Sequence, residues 1–173
     1  PPGLAVILGG NDPASATYVD SKAKSCENAG IYSVVHKMPE TITQEELLQT
    51  IAMMNKNPKL DGILVQLPLP KQIDTTVVLE AIDPLKDVDG FHPYNVGRMV
   101  SNLDSFLPAT PFGVMRMFQE YGIELSGKNV CVIGSSDIVG KPMAALLTNA
   151  KATVTVCNSR TKDLSSHTKA ADI

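Results

Sequence analysis

Apolar and polar positions alternate along this chain between two periods. Leu4 to Leu8 (LAVIL) is a continuous apolar run, too short for a helix and suited to a strand buried on both faces. Gly9-Gly10-Asn11-Asp12-Pro13 then turns the chain, with Asp12 as a helix N-cap and Pro13 at the first helical position. The helical pattern runs to about Ala29, where Gly30 stops it. Tyr32 to Val35 reads as a second strand. Thr43-Gln44-Glu45-Glu46 is a capping box, and Leu47, Leu48, Ile51, Ala52 and Met54 form the apolar stripe of the helix it opens. Asp61-Gly62 turns into a third strand, Ile63 to Gln66, which ends at the proline-rich Leu67 to Pro70. A shorter helix follows around Thr75 to Ile82. Strand and helix alternate throughout, which predicts a parallel sheet wrapped by helices.

From Asp83 to about Thr110 prolines at 84, 93 and 108 break every period, and the stretch reads as an irregular, functional loop. Thr110 is expected to cap a long helix, with Pro111 at its first position, running to about Tyr121. Val130 to Ile133 is a short β-branched strand followed at once by Gly134. Gly140 and Pro142 open a helix carrying Met143, Ala144, Leu146 and Leu147. Ala152 to Val156 is the next strand, and a helix-like stretch starts at Asp163. The fold class is therefore α/β: an N-terminal parallel α/β domain over residues 1–108 and a Rossmann-like dinucleotide-binding domain over 109–173. A mononucleotide-binding half takes three strands, and Ala171-Asp172-Ile173 reads as the entry to a third. The second domain is expected to be incomplete, and the chain to be a fragment short of residues at both ends.

Composition narrows the function classes. The chain is 43% hydrophobic and 19% charged, with a net charge of -3, too apolar for disorder and of the wrong sign for a nucleic-acid platform. Cys26, Cys131 and Cys157 lack C-x-x-C spacing and read as small buried hydrophobes in a reducing compartment. His36, His92 and His167 form no metal motif, so no metal site is expected. No apolar run reaches the roughly 20 residues of a membrane span. No signal peptide is visible, although Pro1 is not a natural start and leaves an upstream leader open.

Candidate chemistry sits at five places. Gly134, Ser136 and Gly140 form a stretched version of the dinucleotide fingerprint, where glycines let backbone approach phosphates at a helix N-terminus; a purely structural helix cap would look the same. After the following strand, a site for an unphosphorylated ribose would carry an acid, but Cys157-Asn158-Ser159-Arg160 carries none. Ser159 can donate to a 2′-phosphate and Arg160 can neutralise one, which favours NADP over NAD; a solvated surface charge is the bland reading of Arg160. Tyr18 and Lys22 stack one helical turn apart and could position a ring and a tuned amine, or be an amphipathic helix with a snorkelling lysine. Gln66 ends the third strand, where ligands of open parallel sheets bind, and could hydrogen-bond a lysine without fixing its charge or face water. In Lys86 to Pro93, Asp87 and Asp89 could accept the paired N–H donors of a pterin-like ring, form turns, or bind a cation weakly.

Tyr18-x-x-x-Lys22, Val65-Gln66-Leu67-Pro68-Leu69-Pro70, the Lys86–Pro93 loop, Thr110-Pro111-x-Gly113 and Gly134-x-Ser136-x-x-Val139-Gly140-x-Pro142 occur in this order. Together they closely resemble the methylenetetrahydrofolate dehydrogenase/cyclohydrolase family of one-carbon enzymes, over essentially the whole chain. The resemblance implies two α/β domains, usually in a homodimer, acting on tetrahydrofolate one-carbon derivatives. It implies NADP-dependent oxidation of 5,10-methylenetetrahydrofolate to the methenyl form, then hydrolysis to 10-formyltetrahydrofolate. Lys22 becomes the acid/base residue, Tyr18 packs on the folate, and Gln66 hydrogen-bonds Lys22, with Val65 and Leu67 beside it in the substrate site. Asp89 holds the pterin end, and Gly134, Ser135, Ser136 and Ser159 lie on the cofactor, with Arg160 beside them. A cytoplasmic location is implied, or the mitochondrial matrix if a leader is missing.

Departures from the family pattern bear on the cofactor. Ser135 stands where an arginine is usual, Asn158 where a histidine is typical, Ala109 where a cysteine is frequent, and Gly9 where a β-branched residue is usual. NAD is therefore kept as the alternative cofactor. Two other functions compete: a degenerate, non-catalytic folate- or nucleotide-binding module, and a short-chain dehydrogenase, which also uses Tyr-x-x-x-Lys but places it after the glycine motif.

Overall fold

The computed structural model describes residues 1–173 as two compact units, Pro1–Val88 and Asp89–Ile173. In the first, β1 (Gly3–Gly9), β2 (Tyr32–Met38) and β3 (Gly62–Gln66) form a parallel sheet of order β2-β1-β3. The connections are α1 (Pro13–Asn28) and α2 (Gln44–Lys56), and α3 (Thr75–Glu80) follows β3. Asp12 caps α1 by accepting from the Ser15 N–H at 2.7 Å. The Thr43–Glu46 capping box opens α2 in both directions, the Glu46 carboxylate taking the Thr43 N–H at 2.9 Å.

Alternation along the central strand divides the core in two. Ala5 and Ile7 pack with Ile63 and Val65 against Leu47, Ile51 and Met54 of α2 and Val78 of α3. Val6, Leu8 and Leu64 point the other way and meet Val19 of α1. A strand covered on both faces has no polar face to show, which is why LAVIL is apolar at every position. Ala52, placed on the apolar stripe of α2 from sequence, is exposed, since the stripe turns past it from Ile51 to Met54.

In the second unit, α4 (Pro93–Val100) and α5 (Ala109–Glu120) precede β4 (Asn129–Ile133), α6 (Gly140–Asn149), β5 (Thr153–Cys157) and α7 (Leu164–Lys169). Strands β4 and β5 pair in parallel. Leu125, Val130, Met143, Leu146 and Leu147 form the core together with Met99 of α4. The stretch 83–110 is therefore not wholly irregular. Pro93 starts a helix after all, and His92 caps it by accepting the Tyr94 N–H on Nδ1 at 3.0 Å. Because α4 buries Met99 in this core and Asn149 Nδ2 donates to the Met99 carbonyl at 2.8 Å, the segment from Asp89 to the Pro108 boundary expected from sequence packs with the second unit. Helix α5 begins at Ala109 with Pro108 at the cap position and no side-chain cap, so Thr110 lies inside the first turn and does not cap it.

The Cys131 N–H donates to the Ile173 carbonyl at 2.8 Å and the Asp172 N–H to the Asn129 carbonyl at 2.7 Å, so residues 172 and 173 lie along β4. The three cysteines are free thiols. Cys131 and Cys157 bring their sulfurs to 3.7 Å on adjacent strands, and burial first, then the Cys157 thiol, pushes the Cys131 thiol above its ordinary range. Neither condition activates a thiolate, in keeping with packing roles.

Candidate functional site

Side-chain direction brings the first constellation together. Leu64 points to the α1 face, so Gln66, two residues on, points there too at the carboxyl end of β3. Lys22 lies on α1 one turn after Tyr18 and one turn past Val19, the residue that anchors the helix on that face. Its Nζ donates to Gln66 Oε1 at 2.9 Å, and both residues are half-buried. Gln66 Nε2 donates in turn to the Leu67 carbonyl at 3.0 Å. That second bond orients the amide, so an oxygen faces the lysine. A neutral acceptor can bond an amine or an ammonium alike, so Lys22 is held in place in either protonation state.

The other substrate-site expectations fare differently. Tyr18 is 64% exposed, an open ring on the same helix as Lys22. The Val65 side chain lies in the core on the α2 and α3 face, so only its backbone is available to a ligand. Leu67 contributes the carbonyl that holds Gln66, and the Leu67–Pro68 peptide is cis. Asp89 is half-buried and belongs to the second unit. Asp87 is a structural residue of the first unit, almost fully buried and bridged in parallel to Ile63. Lys86 donates to the carbonyls of Asn55 and Asn57 at 2.8 and 3.0 Å and so closes the end of α2.

The second constellation lies at the carboxyl ends of β4 and β5. Gly134 has φ +123°, a conformation that side chains resist, and ends β4 in a turn. A Cβ on Gly140 would collide with the Gly134 carbonyl and the Ser135 Cα, so the start of α6 can lie this close to the turn only as glycine. These are the two glycine roles of a dinucleotide fingerprint: tight turn, and close packing of helix on strand. Ser136, in the place of the middle glycine, accepts the N–H groups of Val139 and Gly140 on its Oγ at 3.2 and 3.3 Å. Its hydroxyl shapes the loop from within. Asp137 is paired with Lys141 on the next turn. Ser135 is half-buried, and Ser159 and Arg160 are exposed just past β5. The tight turn and glycine cradle fit the pyrophosphate of a dinucleotide, and no acid stands on Asn158-Ser159-Arg160 to oppose a 2′-phosphate.

Sequence reasoning missed Thr161. Its Oγ1 accepts the Asn158 N–H at 2.8 Å and helps to close the turn that carries Ser159 and Arg160. The signal was present as Asn-x-x-Thr just past a strand, a pattern in which both side chains can bond local backbone.

A parallel α/β unit with a lysine–amide pair at its strand ends, and a second unit with a glycine turn between strand and helix, define a two-unit α/β protein of the dinucleotide-binding type. Residues 1–89 match the family model for the tetrahydrofolate dehydrogenase/cyclohydrolase catalytic domain, and residues 108–173 match the model for its NAD(P)-binding domain. The chain belongs to the tetrahydrofolate dehydrogenase/cyclohydrolase family. It is 94% identical over 172 residues to the bifunctional protein FolD of Aliarcobacter butzleri, covering 99% of this chain and 60% of that protein. The crystal structure of the bifunctional methylenetetrahydrofolate dehydrogenase/cyclohydrolase FolD from Campylobacter jejuni superposes with a TM-score of 0.96 at 55% identity, over 98% of this chain and 61% of that one. The Trypanosoma brucei dehydrogenase-cyclohydrolase, solved with NADP and an inhibitor, gives 0.95 at 38% identity, over 99% and 59%. The chain thus spans about 60% of the length of the curated relatives it matches.

Proposed function

We propose that the protein of which this chain forms part oxidises 5,10-methylenetetrahydrofolate with NADP and hydrolyses the methenyl product to 10-formyltetrahydrofolate. The observation that carries this reading is the Lys22 Nζ–Gln66 Oε1 hydrogen bond of 2.9 Å at the end of β3. Family membership supplies the substrate class.

In the first reaction the methylene carbon loses a hydride and becomes the methenyl carbon of a delocalised cation. NADP, when bound, supplies the hydride acceptor. This step needs orientation more than proton transfer, and the exposed Tyr18 ring gives α1 a flat surface on which a folate ring can lie. In the second reaction water adds to the methenyl carbon, a proton leaves, and a carbon–nitrogen bond breaks to release the formyl group on nitrogen. Lys22 handles that proton. The Gln66 oxygen takes one N–H of the amine and so orients it, leaving its remaining valences for the water.

Asp89 is proposed to hold the pterin end, Gly134 to Ser136 to lie along the dinucleotide, and Ser159 and Arg160 to meet its 2′-phosphate. The NADP complex of the trypanosome relative supports NADP over NAD. The bacterial origin of the close relative from Aliarcobacter butzleri supports a cytoplasmic location over the mitochondrial one. The family resemblance extends the reading to a homodimer, which sedimentation of the full-length protein tests.

The deciding experiment gives full-length protein methylenetetrahydrofolate with NADP and NAD in parallel, then supplies methenyltetrahydrofolate and follows its absorbance. Reduction of NADP together with loss of the methenyl band is expected. Folded protein that binds folate but does neither would be the degenerate module.

A further inference from the structure

The turn after β5 is closed by three hydrogen bonds of its own. The Thr161 N–H donates to the Asn158 carbonyl at 3.0 Å, the Asn158 N–H to Thr161 Oγ1 at 2.8 Å, and the Arg160 N–H to Asn158 Oδ1 at 2.9 Å. Its base is equally fixed. Cys157 is fully buried, and its carbonyl accepts the Gly134 N–H at 2.8 Å, which ties this turn to the glycine turn at the end of β4. Ser159 and Arg160 occupy the two central positions and are exposed. At this sheet edge Lys141 is already paired with Asp137, while Arg160 is in no ion pair.

We propose that Asn158 and Thr161 are positioning residues that set the preference for a 2′-phosphorylated dinucleotide, by holding the turn that presents Ser159 and Arg160. The inference rests on the dinucleotide reading above and deepens it. An exposed arginine on a loose loop loses most of its gain in an ion pair to the entropy of being ordered. Here backbone bonds fix Arg160 in advance, and only the side chain is left to order. Both closing groups are neutral acceptors. An aspartate in place of Asn158 could close the same turn but would set a negative charge beside the phosphate.

The test is calorimetric titration of NADP and NAD into the full-length protein and its variants, with amide exchange across the turn. Thr161→Val keeps the shape of the side chain and removes the acceptor. It should raise the Kd for NADP about fivefold, the worth of one hydrogen bond, while NAD binding is nearly unchanged. The Asn158 amide should exchange faster, and Thr161→Ser should restore both properties. Asn158→Ala breaks a different bond of the same turn and should shift the NADP-to-NAD ratio in the same direction. An unchanged ratio in both variants, whether neither ligand weakens or both weaken together, overturns the proposal while leaving dinucleotide binding intact. Absence of binding of either dinucleotide to the unaltered protein overturns the functional reading, and this inference with it.

Discussion

Gly140 sits directly against the Gly134 carbonyl, so close that no β-carbon can be placed on it. The contact joins the first turn of α6 to the turn that ends β4. Both partners are backbone, so neither can swing aside. Gly140→Ala should cost about 1–3 kcal/mol in stability, as overpacking of a tight contact does, and should weaken dinucleotide binding more than folate binding. Denaturant melts together with parallel titrations of the two ligands check this. An alanine variant of full stability and affinity would show that the loop has slack.

Lys22→Met removes the amine but keeps an unbranched side chain on α1. Hydrolysis of methenyltetrahydrofolate should fall about 10²–10⁴-fold, the usual weight of a positioned acid or base. Oxidation, which transfers a hydride, should fall far less. Separate rates for the two reactions decide the matter, and equal losses would assign Lys22 to binding.

Gln66→Glu replaces a neutral acceptor with a charged one at the atom that faces Lys22. A carboxylate favours the ammonium, so the lysine would hold its proton to higher pH. The pH profile for hydrolysis should move upward, while Gln66→Met, which has no charge to add, should lower the rate without moving the profile upward. A profile unmoved by the carboxylate would uncouple the two residues.

The capping box of α2 makes a prediction for acid. The Thr43 backbone N–H, then its hydroxyl, hold the Glu46 carboxyl below its ordinary value of 4.5. The folded state therefore binds the proton less readily than the unfolded one. The stabilisation is complete above the unfolded value and is lost as pH falls through the lower, folded one. Amide exchange in the first turn of α2 should rise over that acidic window, and Glu46→Gln should flatten the response. Asp12, lowered by the Ser15 N–H, should make the start of α1 behave in the same way.

How much the sequence discloses depends on how local each cause is. LAVIL, the Asp12-Pro13 start and the Thr43–Glu46 box carry their reasons within a few residues, and each element stands where those residues put it. Helix α4 was hidden because His92 is an uncommon cap and prolines on either side suggest a loop. The packing of the segment after Val88 with the second unit was hidden because it depends on Met99 reaching partners from Leu125 onward. Within the candidate site, Lys22 and Gln66 were legible as residues and through family resemblance. Their contact depends on which face of β3 Leu64 selects. Val65 shows the limit of motif reading, since a position inside a functional string can still give its side chain to the core.

The strand order β2-β1-β3 has a consequence for the newborn chain. The strand that completes this sheet comes last in sequence, and it carries Gln66, 44 residues beyond Lys22. A ribosome that has released only the first two strands has made the lysine but not its partner. Closing so long a loop is the slow part of building such a sheet. The amine therefore gains its neighbour only when β3 has docked on β1, and the pair reports on that step: partly folded chains carry the lysine without the amide that orients it.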